Sequence, residues 1–322
     1  MAFANANISD IVATTIQSRT KEIADNVTKN NALLTYIEKQ GNTKTFSGGN
    51  VIDQEISFAE NGNAGFYSGY DPLPIAAQDV ISAAEFSIKQ AAVPVVISGL
   101  EQLQNAGKEK MIDLMDGRMG AAESTMANLL SGSISSDGTG SGGKEITGLN
   151  AAVPLANTTG TYGGIDRATW TFWRNQINNT SGLTAATIQA AMNTLWASLV
   201  RGVDRPKLIL FDNTLWNLYM ASLQAQQRFV DTTSANLGFP SIKFMDADVV
   251  LDGGIGGFCP AGTGFFLNLK YLYWRPHSAR NMVPLSPNKR YSVNQDAEVQ
   301  ILAWAGNLTC GGAQFQGRLD NN

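Results

Sequence analysis

Residues 98–132 read SGLEQLQNAGKEKMIDLMDGRMGAAESTMANLLSG, and the reading of this stretch decides the fold. Ser98 and Glu101 have the spacing of a capping box, a serine at the N-cap and a glutamate three residues on that reaches back to it. Behind them Leu100, Leu103, Gly107, Met111, Leu114, Met119, Ala122, Met126 and Leu129 recur at steps of three to five, as on one face of a helix. The pattern predicts a single amphipathic helix of roughly 31 residues, about 46 Å long at 1.5 Å per residue, stopped by Gly132. Gly107, Gly117 and Gly120 each weaken it by up to ~1 kcal/mol against alanine, and are expected to permit close backbone contact or a bend. Its four methionines, Met111, Met115, Met119 and Met126, are expected to be core packing.

Upstream the period changes to two. Ile52, Gln54, Ile56 and Phe58 fall on one face of a strand, with Val51, Asp53 and Glu55 on the other. Turn formers then dominate: Asn61-Gly62-Asn63, Gly65, Gly69, Asp71-Pro72 and Pro74. Alternation resumes at Ala84–Lys89 and continues into Val93–Ile97, so the stretch reads as one very long hairpin with Phe66, Tyr67 and Tyr70 at its tip. A two-stranded ribbon is marginal in water by itself; one with an aromatic tip is expected to lie on something else. Before it, Ile8 to Thr28 follows helical spacing behind Ser9 or Asp10 as N-cap, and a second apolar cluster, Ala32 to Ile37, ends at Gly41. These make an extended amino-terminal arm with one helix.

Downstream, Ser133 to Lys144 is a Ser/Gly linker and Gly148-Leu149-Asn150 opens a mixed region. Arg167 to Trp173 alternates like an aromatic strand. An α/β layer follows: a helix over Thr184–Val200, a buried strand over Pro206–Phe211, and a helix capped by Asp212 or Asn213 that reaches Phe229. Short strands are expected near Ile242–Phe244, Val249–Leu251, Phe265–Leu267 and Tyr271–Trp274, with closing strands at Glu298–Leu302 and Gln314–Leu319. No internal repeat is visible. The fold class is α+β.

Charged residues are only 16% of the chain, well below the roughly 25% usual for a soluble domain. A chain that hides much of its surface against copies of itself needs less charge. A net charge of −4 leaves no electrostatic footprint for gripping nucleic acid. No apolar run is long enough to span a membrane, and the amino terminus lacks the basic and apolar regions of a signal peptide, so the expected setting is cytoplasmic. Cys259 and Cys310 read as buried small hydrophobes, not as a disulfide framework or metal cluster.

Candidate sites fail one by one. The one histidine, His277, lies between Pro276 and Ser278, and no Gly-x-Ser-x-Gly elbow supports a nucleophile. Gly138 to Lys144 has P-loop spacing, but Glu145 replaces the magnesium-binding Ser or Thr, and the stretch follows a helix and opens none. Gly253-Gly254-Ile255-Gly256-Gly257 follows a strand without leading into an amphipathic helix, which reads as a surface loop. Asp246, Asp248 and Asp252 lack calcium-loop spacing. The sequence therefore predicts no catalytic residue, no cofactor-binding residue, no metal site and no enzyme.

The order of elements (arm, long hairpin, long spine helix, α/β domain, closing strands) resembles the major capsid protein of tailed bacteriophages, the Hong Kong ninety-seven-type capsid fold shared with herpesvirus floor domains and encapsulins. Asn31-Ala32-Leu33-Leu34 through Gly48-Gly49 looks like that family's entry into its hairpin. Gly164-Ile165-Asp166-Arg167 with Trp173-Arg174 is similar to the segment after its spine-helix linker, and Trp304 to Cys310 with Gln316-Gly317 resembles its closing strands. The resemblance spans essentially the whole chain. It implies an arm over residues 1–40, an extension loop over 41–85 laid across a neighbouring subunit, a peripheral domain over 86–180 and 276–322, and an axial domain over 181–275, with loop 252–264 near the axis. It implies hexamers and pentamers of this chain closing into an icosahedral shell around double-stranded DNA held without sequence-specific contacts, in a virion assembled in the bacterial cytoplasm. It also implies a portal, a decoration protein and a scaffolding protein as partners. The arm is too short to be a cleaved scaffold, so the scaffold is expected to be a separate protein. Weighed beside this are an encapsulin-like compartment, a flat-lattice or tail-tube protein, and a nucleotide-dependent enzyme built on Gly138–Lys144.

Some relatives join a hairpin lysine covalently to a neighbour's asparagine, but Ala59 to Gln78 contains no lysine. Assembled material boiled in detergent is therefore expected to run as monomer on a gel; a covalent ladder would contradict a non-covalent shell.

Overall fold

The computed structural model describes residues 31–104, 108–223, 241–253, 257–285, 290–291 and 296–321. The helix expected over Ile8–Thr28, the end of the helix expected to reach Phe229, and Gly107 lie outside the described residues.

The first element is helix α1, Ala32–Lys39, with Asn31 as N-cap, its side chain accepting from the Leu34 amide at 3.1 Å. Leu33, Leu34, Tyr36 and Ile37 are buried, and Gly41, at φ 71°, takes the left-handed backbone that releases the chain. This cluster, expected as part of an extended arm, is a docked helix.

Strands β1, Val51–Ser57, and β2, Ile81–Ser87, pair antiparallel with Ile52 opposite Phe86 and Ile56 opposite Ser82. The ribbon ends there, and this corrects the single long hairpin expected up to Ile97. After Ile88 the chain enters β3, Lys89–Ser98, which leaves β1 and pairs antiparallel with β10, the long strand Ala297–Cys310.

Ser98 and Glu101 form the predicted capping box: the Glu101 amide donates to Ser98 Oγ at 3.3 Å and the Ser98 amide to Glu101 Oε2 at 3.1 Å. Arg118 also donates to both Glu101 oxygens, and together these bonds pull the Glu101 carboxyl down to about 2. The spine is described in two stretches, α2 (Gly99–Gln104) and α3 (Lys108–Ile134), and whether they make the single helix expected rests on residues 105–107, which lie outside the described residues. It runs past Gly132 to Ile134, and the ring of Phe258 stands beside Gly132 where a side chain would be crowded. The buried face is Met119, Ala122, Met126, Leu130 and Ile134; Leu100 and Leu129, both expected inside, are exposed. The expected steps slipped by one residue at the end, where adjacent leucines made either assignment fit.

Apart from shorter turns, helices and two-residue strands, the chain continues through β4 (Gln176–Asn179), α4 (Ile188–Leu199), β5 (Leu208–Phe211), α5 (Asn213–Ser222), β6 (Ser241–Phe244), β7 (Ala247–Leu251), β8 (Thr263–Leu267), β9 (Leu272–Pro276) and β11 (Gly317–Asp320). Asp212 caps α5, its carboxylate accepting from the amides of Thr214 and Leu215 at 3.0 Å each. A six-stranded sheet runs β4-β11-β8-β5-β7-β6. It is buried on both faces, which explains the unbroken apolar run of β5. Ile209, Phe211, Val249, Phe266 and Leu319 meet α4 and α5, whereas Leu208, Leu210, Val250, Phe265 and Leu267 join the core beneath the spine and ribbon. Gln176–Asn179 and Gly317–Asp320, expected in the layer of the spine helix, lie in this sheet, and β9, expected in the α/β layer, pairs with β10.

The alternating run Arg167–Trp173 is not a strand. Asp166 accepts from the amides of Ala168 and Thr169 at 3.0 and 3.2 Å, bending the chain into a turn, and Thr171–Trp173 forms a short 3-10 helix. Arg167 is buried and donates to the carbonyls of Ala151 (2.8 Å), Ala152 (3.0 Å) and Trp173 (3.4 Å), with its guanidinium 5.1 Å from the Tyr162 ring centre. Burial lowers its pKa from the ordinary arginine value. Hydrogen bonds to a charged donor contribute about 1.5–3 kcal/mol each. Arg167→Ala is therefore expected to destabilise the fold by on the order of 3 kcal/mol, read as an earlier midpoint in chemical denaturation; an unchanged midpoint would show that these carbonyls do not depend on it.

Candidate assembly surface

The ribbon β1–β2 has two unlike ends. At its base Ile52, Ile56, Ala84 and Phe86 are buried in the main core, and the Glu85 amide donates to Gly163 O at 2.9 Å. Phe86 meets Tyr162 edge-on at 5.2 Å. At its neck Phe58 packs edge-on against Trp170 at 5.6 Å, and Trp170 against Phe172 at 5.8 Å. This aromatic brace holds the ribbon's exit direction.

Beyond Phe58 the core ends. Phe66, Tyr67, Tyr70, Leu73, Ile75 and Ile81 are exposed, Phe66 and Tyr70 completely. The segment is nevertheless shaped. Asn61 Oδ1 accepts from the Asn63 amide at 2.9 Å and Asp71 Oδ2 from the Ser68 amide at 2.9 Å, so two side-chain-closed turns present the aromatics. An aromatic side chain buries about 150–250 Å², so covering three of them is worth on the order of 10 kcal/mol at ~25 cal/mol/Å² before the costs of association. A second apolar patch lies at the edge of the six-stranded sheet, where Val203 and Met245 are exposed beside Arg205 and Lys207, both paired with Asp246.

The residues weighed as chemical sites are used structurally. His277 packs edge-on against Phe46 at 5.0 Å, and its Nδ1 accepts from the Ala279 amide at 3.1 Å. Gly138–Lys144 forms a turn with left-handed backbone at Gly138, Ser141, Gly142 and Gly143; the Gly143 carbonyl accepts from Lys89 Nζ at 2.5 Å. The three aspartates are separated in role. Asp246 serves Arg205 and Lys207, Asp248 accepts from the Tyr36 hydroxyl at 3.2 Å and pairs with Lys243, and Asp252 is half-buried, its partial desolvation raising its pKa. No group of His, Cys, Asp and Glu among the described residues could hold a metal ion, and no described helix is long and apolar enough to cross a membrane. Both cysteines are free; burial raises both thiol pKa values, that of Cys310 to about 12.

Sequence reasoning missed the polar residues that tie this surface to the body. Asn307 is fully buried. Its Oδ1 accepts from the amides of Thr147 and Leu308, and its Nδ2 donates to Ser87 O at 2.9 Å, joining linker, closing strand and ribbon base. Gln316 exchanges two bonds with the Asn268 backbone at 2.9 and 3.1 Å. Trp304 stacks on Trp274 at 5.0 Å. All three lie in the closing segment that carried the resemblance, but nothing in their spacing shows which groups they would meet.

At the level of sequence no protein-family model matches this chain, and no curated protein matches it. Solved structures do. The capsid asymmetric unit of cyanophage A-1(L) superposes with a TM-score of 0.65 at 18% identity, over 87% of this chain and 90% of that one. The capsid of a native GTA particle gives 0.56 at 11% identity, over 88% and 90%. The capsid of Myoviridae phage XM1 gives 0.50 at 12%, over 88% and 91%. The chain has the α+β fold of phage capsid subunits over most of their length, and the fold inferred from the order of elements is the fold found.

If the tip is an assembly contact, Phe66→Ala and Tyr70→Ala together should leave the stability of the isolated subunit within about 0.5 kcal/mol, as for exposed sites, yet abolish or sharply reduce large assemblies in sedimentation. A matching loss of subunit stability would place these rings in the subunit's own fold instead.

Proposed function

We propose that this chain is the major capsid protein of a tailed bacteriophage. Copies assemble as hexamers and pentamers into an icosahedral shell around double-stranded DNA, and the protein has no enzymatic role. The observation that carries this reading is the ribbon anchored at its base and bare at its tip: among the described residues Phe66 and Tyr70 are fully exposed and Tyr67 largely so. The likeness to capsid structures supports it, since it extends over 87–88% of this chain.

Within that reading, residues 41–85 act as the extension loop on a neighbouring subunit. Residues 86–180 and 276–322 form the peripheral domain and 181–275 the axial domain, with Gln176–Asn179 and Gly317–Asp320 lending strands to the axial sheet. The wall touches DNA without reading it; a net charge of −4 suits a container whose polyanionic contents must stay loose. A separate scaffolding protein, a portal and a decoration protein are its partners, and assembly takes place in the host cytoplasm.

Electron microscopy of the purified native assembly, with its nucleic acid extracted after nuclease treatment, tests the proposal. Closed shells with protected double-stranded DNA are expected. A lone compact subunit of 34.4 kDa would end the proposal, and shells enclosing an enzyme in place of a genome would turn it to a cellular compartment.

A further inference from the structure

The turn that opens the hairpin tip carries the one Asn-Gly pair of the chain, Asn61-Gly62, and both residues are exposed. Asn61 Oδ1 accepts from the Asn63 amide at 2.9 Å, and Asn61 O accepts from the Ala64 amide at 3.1 Å. The first bond closes an Asx turn. The Asn61 side-chain carbon Cγ and the Gly62 nitrogen are both members of the ring it closes, so the turn folds one toward the other. A donor on Oδ1 also draws electron density from Cγ and makes it the better electrophile. Asn61 Nδ2 makes no hydrogen bond among the described residues, so nothing there holds it in place. Gly62 presents no side chain to block the approach; a Cβ at that position would meet Gln78 Oε1 at 3.4 Å.

Neighbouring and related pairs lack this combination. Asn63 precedes Ala64, whose methyl crowds the nitrogen, and its Nδ2 is tied to Ala76 O at 2.5 Å. Asp137-Gly138 has the glycine, but Asp137 Oδ1 accepts from the Thr139 amide at 2.9 Å and its hydroxyl at 2.7 Å. These bonds hold the Asp137 carboxyl below the ordinary range, and an ionised carboxylate offers no neutral group to expel. Asn307 is fully buried and precedes Leu308.

We propose that Asn61-Gly62 is a self-modifying site, at which the folded chain converts Asn61 to aspartate and isoaspartate with water as the only co-reactant. The Gly62 nitrogen attacks Asn61 Cγ, forming the N–Cγ bond of a cyclic imide. The Cγ–Nδ2 bond breaks, and Nδ2 leaves as ammonia with the proton that Gly62 gives up. Water then opens the imide at either carbonyl, so the net change is asparagine plus water to an acid plus ammonia. Base speeds the first step, because the nitrogen attacks as its proton leaves. Aspartate keeps the turn, since a carboxylate oxygen accepts from the Asn63 amide as the carbonyl did. Isoaspartate routes the main chain through Cβ and Cγ, which changes the size of the ring closed by the Ala64–Asn61 bond and reshapes the turn before Phe66. Either product adds a negative charge to a tip that holds Glu60, Asp71 and Asp79 and no Lys, Arg or His between Ala59 and Asp79. The chemistry belongs to the single subunit and goes beyond the shell reading, on which it does not depend.

The test is to age the purified full chain in neutral and in mildly alkaline buffer and to follow it by mass spectrometry. Trypsin releases the whole ribbon as Thr45–Lys89, because no Lys or Arg lies between. That peptide is expected to gain one mass unit, placed at position 61 by fragmentation, faster in the alkaline buffer, and to become a methyl acceptor for an isoaspartyl methyltransferase. Gly62→Ala should lose the gain, through the added methyl and the restricted backbone. If Gly62→Ala does not fold, Asn61→Ser, which keeps an acceptor for the turn but has no amide to expel, is the blank. A folded chain whose Asn61 stays intact while the excised Thr45–Lys89 peptide converts would overturn the proposal. So would gains spread evenly over the other asparagines, or a folded Gly62→Ala that converts as fast as the parent. Each of these results leaves the shell reading standing, since assembly is not what is measured.

Discussion

A β-ribbon two strands wide cannot hold itself up in water, and this constraint organises the molecule. Half of the surface of β1 and β2 must be covered by something other than the ribbon. The subunit covers the base alone: Ile52, Ile56, Ala84 and Phe86 sink into a core shared with the spine helix and the two-faced sheet. Asn307 fixes the end of β2 by donating to Ser87 O. The direction in which the ribbon leaves is thus set by buried, hydrogen-bonded groups, so a distant tip can be aimed with little freedom. Rigid aim is what lets exposed rings serve a specific contact at a low entropic cost.

The same core explains why both ends of the described chain matter to one surface. Leu208 and Leu210 face the ribbon side of the six-stranded sheet while Ile209 and Phe211 face α4 and α5. The sheet is therefore a shared wall, and its closing strand, Gly317–Asp320, arrives from the far end of the chain. Arg318 secures that strand: its guanidinium pairs with Asp320 at 2.7 Å and donates to Asn150 Oδ1 at 2.9 Å. Loss of the strand would open both cores at once.

Much of this was legible in the sequence where a local signal had one physical reading. The period-two run Val51–Phe58 could bury only one face, and the capping box at Ser98 and Glu101 satisfies its own donors whatever surrounds it. Legibility failed where tertiary partners decide. Arg167–Trp173 alternates as a strand should, but Asp166 captures two amides and Arg167 finds three carbonyls, so the turn prevails. Ala32–Ile37 is short enough to read either way, and its helix is stabilised by a buried N-cap and a waiting core. The departure of β3 from the ribbon depends on its pairing with β10, some two hundred positions away, which no local pattern reports. As for the surface itself, the tip aromatics were visible as turn-flanked rings, whereas the cleft at the ribbon base, beside Ile56 and Tyr271, is assembled from five separate stretches of chain and leaves no contiguous trace.

The low charge of the chain and the chemistry of the tip fit one mode of association. A lysine at the tip would invite covalent closure or a single strong ion pair; Ala59–Asp79 has instead three rings and three carboxylates. Contacts of that kind are individually modest and reversible. Repeated around a closed assembly they add, because a subunit already held at one contact meets the next at high effective concentration. In the proposed shell, reversibility would let a misplaced subunit leave before closure, and multiplicity would hold the finished assembly. That combination asks for weak, geometrically exact partners on a rigid body, and an aromatic tip braced at its neck by Phe58, Trp170 and Phe172 supplies one.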